Sequence, residues 1–116
     1  MKPWVDVLGT RYSIEVHKPE QDVCLREELD GYCNSTLKLI VISDMSNYKD
    51  TGDKERELYQ KETLRHELIH AILSESGLKY NTLVYQKSWA TNEEMVDFIA
   101  CQFDKIYKIF EWCEVL

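Results

Sequence analysis

The sequence predicts an α+β fold, on three observations: two short alternating polar and apolar stretches near the start, a β-rich run from Ser35 to Ser43, and two amphipathic helical segments that fill most of the second half. The expected architecture is a small antiparallel sheet of two to four strands packed on two main helices, in a single domain over residues 1–116.

The first strands come from "WVDVLGTRYSIEV", residues 4–16. Val5 and Val7 set one alternation, and Tyr12, Ile14 and Val16 set a second opposite Arg11, Ser13 and Glu15, with Gly9-Thr10 between them as a bulge or tight turn. Residues 17–30 hold Pro19 and many charges, and Asp30-Gly31 reads as a turn ahead of "STLKLIVIS". The polar stretch from Ser43 to Gly52 suits a surface loop. A helix is expected from about Asp53 to Ser76, with Leu64, Leu68 and Ile72 one turn apart, Ile69 and Leu73 beside them, and Gly77 as its stop. Residues 78–90 form a connection with strand character in "TLVYQ", and a second helix runs from Thr91 to about Trp112.

Composition narrows the function. With 116 residues and 44% apolar content the chain has enough material for a core without metal or disulfide staples, so a bound metal would serve function rather than folding. The formal charge of -7, with Lys and Arg scattered, argues against a nucleic-acid partner. No apolar run approaches 18 residues, and Met1-Lys2-Pro3-Trp4 leads into alternation rather than a signal-peptide core, so a cytoplasmic protein without a membrane partner is expected. Cys24, Cys33, Cys101 and Cys113 lack C-x2-C pairing and are expected to be free, mostly buried thiols.

The motif that carries chemistry is "TLRHELIHAIL", residues 63–73. Histidines four apart on a helix stand one turn above each other, so His66 and His70 can turn ring nitrogens toward one point. Glu67, rotated by about 100°, falls beside that point, where a carboxylate can act as general base toward a metal-activated water. Catalytic zinc takes three protein ligands, so a third is needed. "WATNEEMVDFIACQF" offers Glu93 and Glu94. Thr91 and Glu94 form a capping box, which gives Glu94 a structural task. Glu93 shares a side with Asp97 and Ala100 and borders the stripe of Val96, Phe103 and Tyr107 that should pack on the first helix. Helix geometry therefore favours Glu93 as third ligand, with Asp97 as outer-shell acceptor for the second ring N–H of a ligand histidine. His17, the remaining histidine, reads as a solvated strand-end residue. Leu73 and Ser76 stand where a metzincin has glycine and histidine, which excludes that family.

His66-Glu67-x-x-His70, followed 23 residues later by Glu93 in an Asn-Glu-x-x-x-Asp frame beginning at Asn92, resembles the gluzincin branch of zinc metallopeptidases. At the level of a small domain it is similar to the ImmA/IrrE-type minimal metallopeptidases of phages and prophages. That group usually carries Ala-Asn-x-Phe-Ala after its glutamate, where this chain has Val96-Asp97-Phe98-Ile99-Ala100. The resemblance implies a zincin-like fold, one zinc on His66, His70 and Glu93, Glu67 as water-activating base, Asp97 as outer-shell partner, and a sheet edge that holds an extended peptide. The function expected is zinc-dependent hydrolysis of peptide bonds in a peptide or protein substrate; Tyr80, Tyr85 and Tyr107 carry hydroxyls that could reach a developing oxyanion, but each reads first as amphipathic core. The alternative is a phage-like interaction module that keeps the fold and binds a protein partner without turnover.

Overall fold

The computed structural model describes residues 1–27, 29–80, 92–114 and 116. The α+β class is as expected: among the described residues four strands, β1 (Trp4–Val7), β2 (Thr10–His17), β3 (Gly31–Asn34) and β4 (Leu39–Ser43), form one sheet, with two long helices, α1 (Asp53–Glu75) and α2 (Glu93–Trp112). The strand order is β1-β2-β4-β3.

β1 and β2 pair antiparallel, closing with Val7 opposite Thr10. Leu8 and Gly9 between them both take positive φ, 50° and 92°, the conformation that a two-residue hairpin turn compatible with strand twist requires. The Asp6 carboxylate accepts from the Gly9 N–H at 2.9 Å.

Two features depart from the sequence reading. The sheet is mixed rather than antiparallel throughout, because β2 and β4 pair parallel, from Ser13 opposite Leu39 to His17 opposite Ser43. The chain leaves β2, passes through 3-10 turns at Pro19–Gln21 and Leu25–Glu27, returns as β3 on the outer edge, and turns back so that β4 inserts between β2 and β3. Alternation marks strand faces but carries no information on strand direction. The second departure is β3 itself, since Gly31 begins a strand where a turn was expected. Asn34 then makes the β3–β4 turn, its side-chain oxygen accepting from the N–H groups of Thr36 and Leu37 at 3.1 and 2.9 Å.

The inserted strand β4 is buried on both faces, with Ile40, Val41 and Ile42 all fully inaccessible, as its unbroken apolar sequence suits. Val7, Tyr12, Ile40 and Ile42 form the core with Ala71 of α1, and Leu64 and Leu68 pack against it. The C-terminal end of α1 is clamped by charge. Lys38 Nζ, Tyr12 Oη and Thr10 Oγ1 all donate to the Glu75 carboxylate, at 2.5, 2.7 and 3.0 Å. The Lys38 bond, followed by that of Tyr12, pushes the Glu75 carboxyl down to about 2. Gly77, with φ 83°, ends the helix as its sequence position predicts.

Asn92 caps α2: its side-chain oxygen accepts from the Met95 N–H at 2.9 Å, and its carbonyl from the Val96 N–H at 3.1 Å. The expected Thr91–Glu94 capping box rests on Thr91, which lies outside the described residues, as does the strand character of "TLVYQ". Only the first half of the expected apolar stripe packs on α1. Val96 and Ala100 are buried, whereas Phe103 and Tyr107 are 57% and 44% exposed. The helices meet around Arg65, whose Nε donates to the Ala100 carbonyl at 3.1 Å, and the stripe runs on past that contact. Cys24, Cys101 and Cys113 are exposed and Cys33 is partly buried, so the cysteines are free but not mostly buried. Among the described residues no helix is long and apolar enough to cross a membrane.

β3 lies tight against α1. A Cβ at Gly31 would stand 2.7 Å from Thr63 Cγ2 and 2.8 Å from the Val41 carbonyl oxygen, and that backbone oxygen has no room to yield. Gly31→Ala should therefore lower stability by roughly 1–3 kcal/mol, the usual cost of overpacking. Urea unfolding checks this, and an unchanged midpoint would show that β3 is not held this closely.

Candidate metal centre

The centre is built on two helices. His66 and His70 sit one turn apart on α1 and face the first turn of α2, where Asn92 sets the start of the helix and Glu93 and Asp97 project one turn apart. The two imidazoles bring Nε2 atoms within 3.0 Å of each other. The Glu93 carboxylate spans both, with Oε2 3.1 Å from His66 Nε2 and Oε1 3.3 Å from His70 Nε2.

Asp97 organises the first ring. Its Oδ1 accepts from His66 Nδ1 at 2.6 Å. With the proton held on Nδ1, a neutral His66 presents the lone pair of Nε2 to the point that it shares with His70 and Glu93. His70 is partly buried, and burial pushes its pKa down, with the neighbouring Glu93 carboxylate opposing. Burial thus favours the neutral form that a metal ligand needs.

Glu67 lines the same cleft as the two histidines and is only 6% exposed. Burial pushes its carboxyl up to about 7, His66 pulling the other way and Glu93 adding to the rise. His66, Glu67 and His70 still place ligand-type atoms within 4.8 Å of one another, so this group could hold a metal ion. The donor set fits a small, borderline-soft cation. Ligand atoms around a tetrahedral ion with bonds of 2.0–2.2 Å stand about 3.3–3.6 Å apart; the His70–Glu93 contact, at 3.3 Å, meets that spacing, and the His66–His70 and His66–Glu93 contacts, at 3.0 and 3.1 Å, are 0.2–0.3 Å short of it.

The centre opens into a cleft of about 700 Å³ between α1, α2 and the outer edge of β3, with Gly31, Tyr32 and Cys33 on the strand side. Tyr32 and Lys79 are cleft residues that the sequence reading did not single out. The Tyr32 hydroxyl donates to Asp22 Oδ2 at 2.9 Å and is kept protonated, its pKa raised first by burial and then by that bond. Lys79 donates to Ser35 Oγ at 2.9 Å. Of the tyrosines weighed as core residues or hydroxyl donors, Tyr107 is 44% exposed on α2 and is not among the described residues of the cleft wall. Tyr85 is outside the described residues.

His17 ends β2 as expected but is not simply solvated. Nδ1 meets Asp22 at 2.6 Å and Nε2 meets Glu15 at 2.7 Å, and the Asp22 bond is the main cause of its raised pKa. Its two nitrogens are spent in different directions, so it ties the turn after β2 to the strand rather than offering a ligand set.

No family model, curated protein or solved structure matches this chain.

The chain should take up about one equivalent of a divalent transition metal, and His66→Ala or His70→Ala should abolish uptake. Asp97→Asn should weaken it by about 10–100-fold, the usual effect of losing an outer-shell carboxylate. Titration against a competing chelator checks this, and equal affinity in the Asp97 variant would contradict the tautomer argument.

Proposed function

We propose that this chain is a zinc-dependent peptidase of the gluzincin type, similar to the small ImmA/IrrE-type zincins. The observation that carries the reading is the meeting of two imidazole Nε2 atoms and the Glu93 carboxylate within 3.0–3.3 Å beside a buried glutamate. Two nitrogen ligands with one carboxylate suit zinc better than magnesium or calcium, which prefer all-oxygen shells. His66, His70 and Glu93 would hold the ion, and Asp97 would keep His66 in its ligating tautomer. Zinc, when bound, would supply Lewis acidity and a water that ionises near neutral pH.

Glu67 is the proton carrier in this reading. A carboxyl raised to about 7 by burial is poised to take a proton from the attacking water and to return it to the departing amine. Substrate class follows from the sheet. Among the described residues β3 is the outermost strand on the cleft side, and a strand in that place can pair with an extended peptide laid beside the two histidines. The net charge of -7 gives no support to a nucleic-acid substrate. A cytoplasmic location belongs to the same reading.

A second reading has an observation of its own. Phe98, Phe103, Tyr107 and Trp112 are 44–88% exposed along α2, which favours a module that binds a protein partner without turnover. Glu67→Gln separates the two. A peptidase variant should retain one zinc and lose about 10²–10⁴-fold in hydrolysis of a denatured protein substrate. A zinc-loaded wild-type chain that cleaves nothing, with the variant keeping its partner, would favour the binding module.

A further inference from the structure

The packing of the two long helices stops partway along α2, after the buried Val96 and Ala100. Three pairs set its register: His70 with Glu93 at 3.3 Å, His66 with Asp97 at 2.6 Å, and Arg65 Nε with the Ala100 carbonyl at 3.1 Å. Residue numbers fall along α1 as they rise along α2, so the helices are antiparallel. Seven residues make nearly two full turns, which carries Arg65 back to Leu58 and Ala100 on to Tyr107 with the same sides still facing. Leu58, Tyr107 and the neighbouring Phe103 are nevertheless 53%, 44% and 57% exposed. Two apolar faces thus border one seam without closing on each other.

Charge along that seam is one-sided. At about 100° per residue, Glu55 and Glu62 stand about 40–60° round α1 from Leu58, and Asp104 and Glu111 stand about 40–60° round α2 from Tyr107. Equal rotations on antiparallel helices fall on the same side of the seam, here the side on which His66 and Asp97 meet. The carboxylates of Glu62, Asp104 and Glu111 have no hydrogen bond or ion pair among the described residues, and Glu55 accepts from the Tyr59 hydroxyl. The bases lie elsewhere. Lys54 and Lys61 are on the other side of Leu58, with Lys61 paired to Glu57 at 2.7 Å, and Lys105 and Lys108 are further round α2 from Tyr107 than the two acids.

We propose that this seam is a docking surface for a cationic amphipathic helix of a protein partner. A helix presents apolar residues at the three- and four-residue spacing that separates Ala100, Phe103 and Tyr107, so a third helix can lay such a stripe along Leu58, Phe103 and Tyr107. Its Lys or Arg side chains then stand over the four carboxylates, and an acidic helix in the same place is repelled. A second copy of this chain fits less well. If α2 paired antiparallel with its own copy, Asp104 and Glu111 of both chains would fall on the same side and meet. The seam lies outside the metal centre, so the proposal goes beyond the peptidase reading and does not depend on it.

The probe is a labelled peptide of about 18 residues built from Leu and Lys, with Leu at helical spacing and enough length to hold a helix. One control replaces every Lys with Glu, and a second keeps the composition but scrambles the spacing. Binding to the full chain is followed by fluorescence anisotropy at about 0.15 M salt, which screens long-range attraction to the acidic chain. The Leu/Lys helix should bind about ten-fold tighter than either control, or more. Leu58→Ser and Phe103→Ser should each weaken it by about ten-fold or more, the usual loss of an apolar anchor. Both side chains are more than half exposed, so neither change removes a core residue. Asp104→Lys combined with Glu111→Lys should turn the preference toward the Leu/Glu peptide. No binding of the Leu/Lys helix, equal binding of the controls, or affinity unchanged in both serine variants would overturn the proposal. A dimer seen by sedimentation in the wild-type chain and lost in Phe103→Ser would give the seam to a second copy and overturn it as well.

Discussion

α1 lies on the sheet along Leu64, Leu68, Ala71 and Glu75, and the cleft takes its geometry from that contact. The apolar part supplies the hydrophobic term, and the Glu75 clamp to Lys38, Tyr12 and Thr10 sets where the helix ends relative to β2 and the β3–β4 turn. Once that register is set, Glu67 loses most of its contact with water. The two histidines, on the adjacent face, must look toward α2. One packing contact therefore gives one helix a buried carboxyl of raised pKa and a pair of converging imidazoles.

The second helix needs only a few features to complete the centre. Asn92 sets the first turn, Glu93 follows it immediately, and Asp97 lies one turn further on. Burial of Val96 and Ala100 against α1 brings that turn into reach. Glu93 and Asp97 themselves are 65% and 61% exposed, so the acids are held by the centre more than by the core. A bound cation would therefore link the two helices as well as provide chemistry.

Much of this was legible in the residues. Histidine spacing on a helix is a strong geometric statement, and the separation of Glu93 from Glu94 followed from the 100° step of the second helix. Gly77 marked its helix end. What escaped the sequence depends on contacts between distant segments. β3 is four residues long and starts with glycine, and it is a strand because β4 and α1 receive it there. The parallel pairing of β2 and β4 has no local signature. Periodicity identified the stripe of Val96, Phe103 and Tyr107 but not how far α1 reaches along it. Lys79 carries no motif, and its place in the cleft comes from Ser35, 44 residues away in the chain.

The central claim is that His66, His70 and Glu93 form one metal site. Zinc-edge X-ray absorption on the loaded chain tests it most directly. The account predicts a shell of nitrogen and oxygen only, at about 2.0–2.2 Å, with outer scattering from two imidazole rings. Sulfur at about 2.3 Å would move the ion to a cysteine such as Cys33 or Cys101 in the cleft wall and contradict the assignment, as would a shell without imidazole.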